Sequence, residues 1–329
     1  MRDEVKRRCE NMIANRDLLQ KVFGWGTGIL WVSGACMFTM KGKTAEEERL
    51  KQCRDMIKEK TGVFSGFRGN AKSLITATMA LGQNPEEALE NGLTVYKMLK
   101  EKMWDSSYLP MAAMSIARLA EKARYEEIVE KTKNIYDLIK KEHPFLTSAE
   151  DSSFCALLAL SEKSVEELVS EAETCYYYLT GHTRFPKNSV QSLSHVLALC
   201  DGALEEKCKR TIELYETLLG HGLKYGTMYE LPMLGVLAME HSDYEVLAEE
   251  LREVSAWLSK QKGFGFWGSV SLKQRLMFAG MLLQEPEGKN ELSEATLVQS
   301  TVAIVVAQEA AMMAAMSAST MAAVTAANS

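Results

Sequence analysis

The chain has 329 residues, 47% of them hydrophobic and 25% charged, a globular composition rather than a disordered or linker-rich one. Its formal net charge of −6 supplies no basic patch for phosphate contacts, so nucleic acid is not an expected partner. The seven cysteines, an odd number with no CxxC spacing, point to reduced thiols in a cytoplasm and away from a disulfide framework or a zinc cluster.

The opening MRDEVKRRCE alternates in charge sign, as an exposed helix face does. Between Lys21 and Lys41 comes a run of 19 uncharged residues, VFGWGTGILWVSGACMFTM. That run has the length of a membrane span. Its four glycines, two threonines and serine make it only mildly apolar, and a charged stretch without a cleavage motif precedes it. It reads as a buried helix, and no membrane partner is expected.

Six later apolar segments end in the same style as this run, at Leu81, Ile116, Leu160, Leu199, Met239 and Leu283, following Met40. Their spacing averages about 40 residues. Four positions before each end stand Cys36, Ala77, Ala112, Ala156, His195, Gly235 and Ala279; one position before stand Thr39, Ala80, Ser115, Ala159, Ala198, Ala238 and Leu282. In each set six of the seven are small. The two columns are three apart and share one helix face, which lets a neighbouring backbone come close. These segments are therefore expected to be inner helices packed side by side.

The segments between them are charge-rich and carry their own column: Tyr96, Tyr136, Tyr176 and Tyr215, with Met56 before and Trp257 after. A tyrosine suits an outer helix, with its ring inward and its hydroxyl near water. Several of these helices open with acids, as in PEEALE and YEEIVE, in keeping with the helix dipole. The expected fold is all-α: about seven α-hairpin repeats of about 40 residues, stacked as an α-solenoid or closed as an α/α toroid. Residues 1–290 form this helical-repeat domain. Residues 291–329 form a separate Ala- and Met-rich helical tail, either a soft cap or plug or a low-complexity helix with no role.

Each loop entering an inner helix carries an aromatic: Phe67, Trp104, Phe145, Phe185, Tyr225, and Phe266 with Trp267. These are expected to be staples that close each turn, with an aromatic rim around a cavity as the rival reading. Asp105 or Ser106, Thr147 or Ser148, Asn188, Thr227 and Ser269 are the expected helix caps. His195 stands in a column otherwise filled by Cys, Ala or Gly, on one face with Asn188 and Gln191. It is either a core histidine held by a neighbour such as Gln191 or an acid–base or ligand-contacting group. Glu150 and Asp151 open another inner helix and offer an acid pair; Tyr229 and Glu230 open a third. The candidate pocket is therefore Glu150, Asp151, Asn188, Gln191, His195, Tyr229 and Glu230. No DDxxD, GxSxG, HExxH or phosphate-loop motif occurs, so no metal site and no particular cofactor is expected.

The runs HPFLTSAED, RFPKNSVQSLSHVLAL and MYELPMLGVLA together resemble a bacterial family, domain of unknown function family 4003, found mainly in Firmicutes. The resemblance extends over nearly the whole chain up to the tail. It implies a bacterial cytoplasmic protein and implies no activity or catalytic residue. The leading expectation is a non-catalytic module that binds a protein, peptide or small ligand; the alternative is an α/α-barrel enzyme with an acid- and His-lined central cavity.

Overall fold

The computed structural model describes residues 1–24, 28–69, 71–265 and 268–284, and within them the chain forms fourteen α-helices and no strand. The tail at 291–329 and the pair Phe266 and Trp267 lie outside the described residues.

Two kinds of helix alternate. The even-numbered ones are α2 (Gly28–Met40), α4 (Lys72–Leu81), α6 (Leu109–Leu119), α8 (Asp151–Ala159), α10 (Lys187–Leu199), α12 (Leu231–Glu240) and α14 (Leu272–Leu283). The odd-numbered ones are α1 (Asp3–Phe23), α3 (Glu47–Lys60), α5 (Pro85–Lys102), α7 (Tyr125–Glu142), α9 (Val165–His182), α11 (Leu204–Gly220) and α13 (Tyr244–Ser259). The even helices are short and largely buried, and two of them are buried all round. All nine residues of α8 are buried, as is every residue of α2 from Ile29 to Thr39. A helix apolar on every side must be covered on every side. This settles the membrane-like run: α1 ends at Phe23, α2 has only 13 residues, and no helix among the described residues is long and apolar enough to cross a membrane.

The odd helices are amphipathic. In α5 the side chains of Leu89, Gly92, Val95, Tyr96 and Leu99 are buried, a spacing of three and four that marks one face. Acids open α3, α5, α7, α9, α11 and α13, and lysines close α3, α5 and α7, so charge follows the helix dipole at both ends. Asn84 caps α5, its side chain accepting from the N–H of Glu87 at 3.2 Å; Asp243 caps α13 in the same way, from Val246 at 3.0 Å.

The chain divides into two compact units. The first comprises Met12–Thr39 and Lys43–Val165; the second comprises Met1–Asn11, Met40–Gly42 and the described residues from Glu166 onward. Within the first, α4 packs on α6 and α6 on α8, while α3 packs on α5 and α5 on α7. Within the second, α10 packs on α12 and α12 on α14, and α11 packs on α13. In both units the outer helix pairs with the inner helix that follows it: α3 with α4, α5 with α6, α7 with α8, α11 with α12 and α13 with α14. The second unit also ties down the chain's start. The amino terminus pairs with Glu253, Arg2 with Glu250 at 2.8 Å, and Arg8 donates to the carbonyl oxygens of Leu282 and Gln284 at 3.2 and 2.5 Å.

The small-residue column is buried along its whole length, from Cys36 through Ala77, Ala112, Ala156, His195 and Gly235 to Ala279. Gly235 shows why it must be small. A Cβ there would meet Leu193 Cδ1 at 2.6 Å and Leu197 Cδ2 at 3.3 Å, both on α10. Gly280 meets Leu237 of α12 in the same way, at 2.6 Å. The tyrosine column also behaves as expected: Tyr96 and Tyr176 are buried, Tyr136 and Tyr215 half-buried. The Tyr96 hydroxyl donates to Asp105 Oδ1 at 2.7 Å.

The expected caps are a different matter. Helices α6, α8, α10 and α12 begin after Tyr108, Glu150, Pro186 and Glu230, none of which makes a side-chain cap bond. Among the described residues a full capping box stands at α14, and it uses Ser271 with Gln274 rather than Ser269. Before α6, α8, α12 and α14 the loop runs further than the first polar residue suggests, whereas α10 has already begun at Lys187, one residue before Asn188; Asp105 is engaged by Tyr96.

A leucine at position 235 is expected to destabilise the fold by about 1–3 kcal/mol through overpacking against α10. By contrast, Gly181 in α9 has open space where a Cβ would stand, and Gly181→Ala is expected to stabilise by about 0.5–1 kcal/mol. Urea denaturation of both variants measures the difference; a tolerated Gly235→Leu would mean that α10 and α12 do not meet at this residue.

Candidate functional site

The seven residues singled out from the sequence fall into three groups. Glu150 and Asp151 belong to the first unit. The other five belong to the second: Asn188, Gln191 and His195 along α10, and Tyr229 and Glu230 just ahead of α12.

In the first unit, Asp151 is the first residue of α8 and is 3% exposed. Its Oδ2 accepts the N–H of Ser148 at 2.7 Å, which closes the turn leading into the helix. Burial pushes its carboxyl up to about 7, the charge of Glu150 adds to the rise, and the Ser148 N–H holds it back. Burial raises Glu150 as well. Tyr108, at the start of α6, faces this pair: burial first and then Glu150 push its phenol up to about 12. Tyr136 on α7 is raised by burial and by Asp151. Two carboxyls and two phenols thus share one poorly hydrated corner, where α6, α7 and α8 meet. Such a corner favours neutral, protonated carboxyls, which donate as well as accept.

In the second unit, Asn188, Gln191 and His195 lie on α10 as their spacing requires. Asn188 is exposed, whereas Gln191 and His195 are 2% and 1% exposed. Helix geometry fixes the direction of this face. Leu193 and Leu197 point at α12, since they meet Gly235. At about 100° per residue, Gln191 and His195 then lie on the side of α10 away from α12. They also face away from Glu230, which precedes α12. Glu230 forms its own cluster. It is 2% exposed, one carboxylate oxygen accepts from the Met228 N–H at 3.2 Å, and burial raises its pKa. Its carboxyl lies over Gly226, where a Cβ would meet Glu230 Cδ at 2.2 Å. Tyr229 accepts from the side-chain amide of Gln274 on α14, and its phenol is pushed up to about 12, by burial first and then by Glu230. The Tyr225 phenol is buried, raised by burial and then Glu230, and finds no hydrogen-bond partner.

The loop aromatics divide. Phe67 and Phe185 behave as staples: each packs edge-on against a column tyrosine, Phe67 on Tyr96 at 5.3 Å and Phe185 on Tyr215 at 4.8 Å. Trp104 and Phe145 do not, being 95% and 99% exposed. Phe64, which sequence reasoning passed over in favour of Phe67, is fully exposed. Among the described residues no group of three or more His, Cys, Asp or Glu side chains is arranged to hold a metal ion.

Asp151 makes stability depend on pH. Its folded pKa of about 7 is above the ordinary 3.8, so the folded chain holds this proton more tightly than the unfolded one. That contribution is complete below the unfolded value and is lost as pH rises through about 7. The expected result is a fall in unfolding free energy between about pH 5 and about pH 8, and a shallower fall in Asp151→Asn, with Glu150 and Glu230 supplying what remains. Urea titrations at the two pH values test this; parallel slopes for the two proteins would contradict it.

A match to the curated protein "Uncharacterized protein YeaA" of Bacillus subtilis (strain 168) extends over 275 residues at 26% identity, covering 80% of this chain and 79% of that one. No solved structure matches the chain. The model of the family described as "Protein of unknown function (DUF4003)" matches residues 15–311, and the chain belongs to that family.

Proposed function

We propose that the chain is a non-catalytic helical-repeat binding protein of the cytoplasm, its hairpins of about 40 residues stacked as a solenoid or toroid, and its partner a protein, peptide or small ligand met at the loop ends of the inner helices. The observation that carries this reading is the burial of His195. At 1% exposure it sits within the helix layer, on the small-residue column, as a core residue does. What remains accessible at the helix starts is Asn188, the half-buried Tyr229 and the exposed loop aromatics Trp104 and Phe145. The cytoplasmic assignment draws on the cysteines, all seven of them buried thiols outside any disulfide.

A second reading, an α/α-barrel enzyme, draws on one observation: Asp151 is pushed up to about 7, the range suited to a general acid or base. The buried corner around Asp151 and Glu150 is then the place for proton transfer.

A thermal-shift screen of small metabolites against the wild type, His195→Ala and Tyr229→Phe separates the two. On the binding reading, His195→Ala lowers basal stability, as expected of a buried polar residue lost from a packed layer, while ligand-induced stabilisation persists. A ligand at a hundred times its Kd adds about 2.7 kcal/mol, and that gain shrinks in Tyr229→Phe. A ligand whose stabilisation vanishes in His195→Ala at unchanged basal stability would overturn the core reading of His195. Turnover of a screened compound that disappears in Asp151→Asn would favour the enzyme.

A further inference from the structure

Two cysteines of the second unit stand against each other. Cys175 lies on the buried face of α9 with Leu168, Ala172, Tyr176 and Leu179; Cys208 lies on that of α11 with Thr211, Leu214 and Leu218. Both are wholly buried. The Cys208 Sγ stands 3.9 Å from the Cys175 carbonyl oxygen, although 33 residues of sequence separate the two. It also meets the Cys175 thiol. A hydrogen bond between the two thiols, ahead of burial, pushes the Cys208 pKa up. For Cys9, Cys53 and Cys155 burial is the leading cause instead.

We propose that Cys175 and Cys208 form a reversible disulfide when the chain meets a peroxide, tying α9 to α11 as a redox switch of the second unit. Such a switch works whether the chain binds a ligand or turns one over. A disulfide needs its Cα atoms about 4.4–6.8 Å apart and its thiols directed at each other. Thiols already in contact across two helices reach that geometry by rotation about χ1 and a small approach of the helices, without a change of fold. In the reaction one sulfur, as thiolate, attacks a peroxide oxygen. The O–O bond breaks, water leaves, and a sulfenic acid remains. The second sulfur displaces the hydroxyl from it, which takes up the second thiol's proton and leaves as water. Two thiols and one hydrogen peroxide thus give one disulfide and two waters.

The surroundings set when this happens. Burial and the shared hydrogen bond keep both thiols protonated and away from oxidant while the helices are closed. Oxidation therefore follows local opening of α11 from α9. Lys207 assists once the pair opens. It is buried, its ammonium donates to the Cys200 carbonyl oxygen at 2.6 Å, and its charge favours the Cys208 thiolate, which Glu205 opposes more weakly. The residues between the two cysteines include the whole of α10, with Asn188, Gln191 and His195. The closed disulfide confines that helix in a covalent loop, which restricts the unfolded chain and so stabilises the folded one.

The experiment treats the full wild-type chain with hydrogen peroxide in native buffer, alkylates the remaining thiols with iodoacetamide in denaturant, and maps the peptides by mass spectrometry without reductant. The expected result is a linked peptide joining Cys175 to Cys208, lighter by two hydrogens than its reduced parts and separated again by dithiothreitol. The oxidised chain is expected to melt about 5 °C higher than the reduced one, with slower amide exchange in α10. Cys175→Ala and Cys208→Ala each remove the linked peptide and the rise in melting temperature, whereas Cys53→Ala keeps both. Because the mapping is read on wild type, the outcome does not hinge on a variant that folds poorly. Cys175 and Cys208 recovered reduced, whatever the other cysteines do, overturn the proposal. So do links from either of them to a different cysteine, a linked peptide that forms only in urea, and oxidation of the two to sulfinic or sulfonic acid in place of the disulfide.

Discussion

The inner helices are buried along most of their length, α2 and α8 on every side, and most of what distinguishes this chain follows from that constraint. A helix that meets neighbours all round cannot be amphipathic, and it must be narrow where another helix crosses it. The chain meets both demands with short apolar segments and with a stripe of Ala, Gly, Cys, Ser and Thr. At Gly235 the requirement is visible in atoms, since a single added carbon would enter the space of Leu193. Cysteines serve as small buried residues on the outer helices as well, Cys9 on α1 and Cys53 on α3. Burial pushes the thiol of Cys53 up to about 11 and that of Cys9 up to about 12, so they remain protonated and serve as small apolar residues rather than as reactive ones.

The same constraint explains where polar chemistry gathers. A layer of closely packed apolar helices has no room for a carboxylate along its length. It does have room at the helix starts, where the loops open and backbone N–H groups are unsatisfied. Asp151 and Glu230 stand at two such starts, each accepting from a backbone N–H two or three residues earlier. Each is nonetheless buried enough for its pKa to rise. They hold the turn into the helix while remaining poorly hydrated, a combination that makes the helix starts both structural and chemically sensitive to pH.

What the sequence showed and what it hid follow from this division. The alternation of apolar and charged segments was legible, as were the small-residue and tyrosine columns, because burial acts on residue type and recurs at a fixed spacing. The helix starts were not. A polar residue ahead of an apolar run looks like a cap, yet Asp105 is taken by Tyr96, and α8 and α12 begin at a Glu that makes no cap bond. The direction in which His195 faces was also hidden, because it depends on which leucines of α10 meet α12. The coincidence of Asn188, Gln191 and His195 on one face was readable; their separation from Glu230 was not.

Phe64 and Phe67 show why loops resist this kind of reading most. Both are phenylalanines in one short connection, three residues apart, and composition does not distinguish them. Phe67 enters the core and meets Tyr96; Phe64 stands entirely in water. Register does not distinguish them either: Phe64 continues the spacing set by Trp104 and Phe145, but so do Phe185, which packs on Tyr215, and Tyr225, which is buried. What decides whether such an aromatic turns inward is the neighbour it meets, Tyr96 for Phe67 and Tyr215 for Phe185, and that pairing is set by packing rather than by position along the chain.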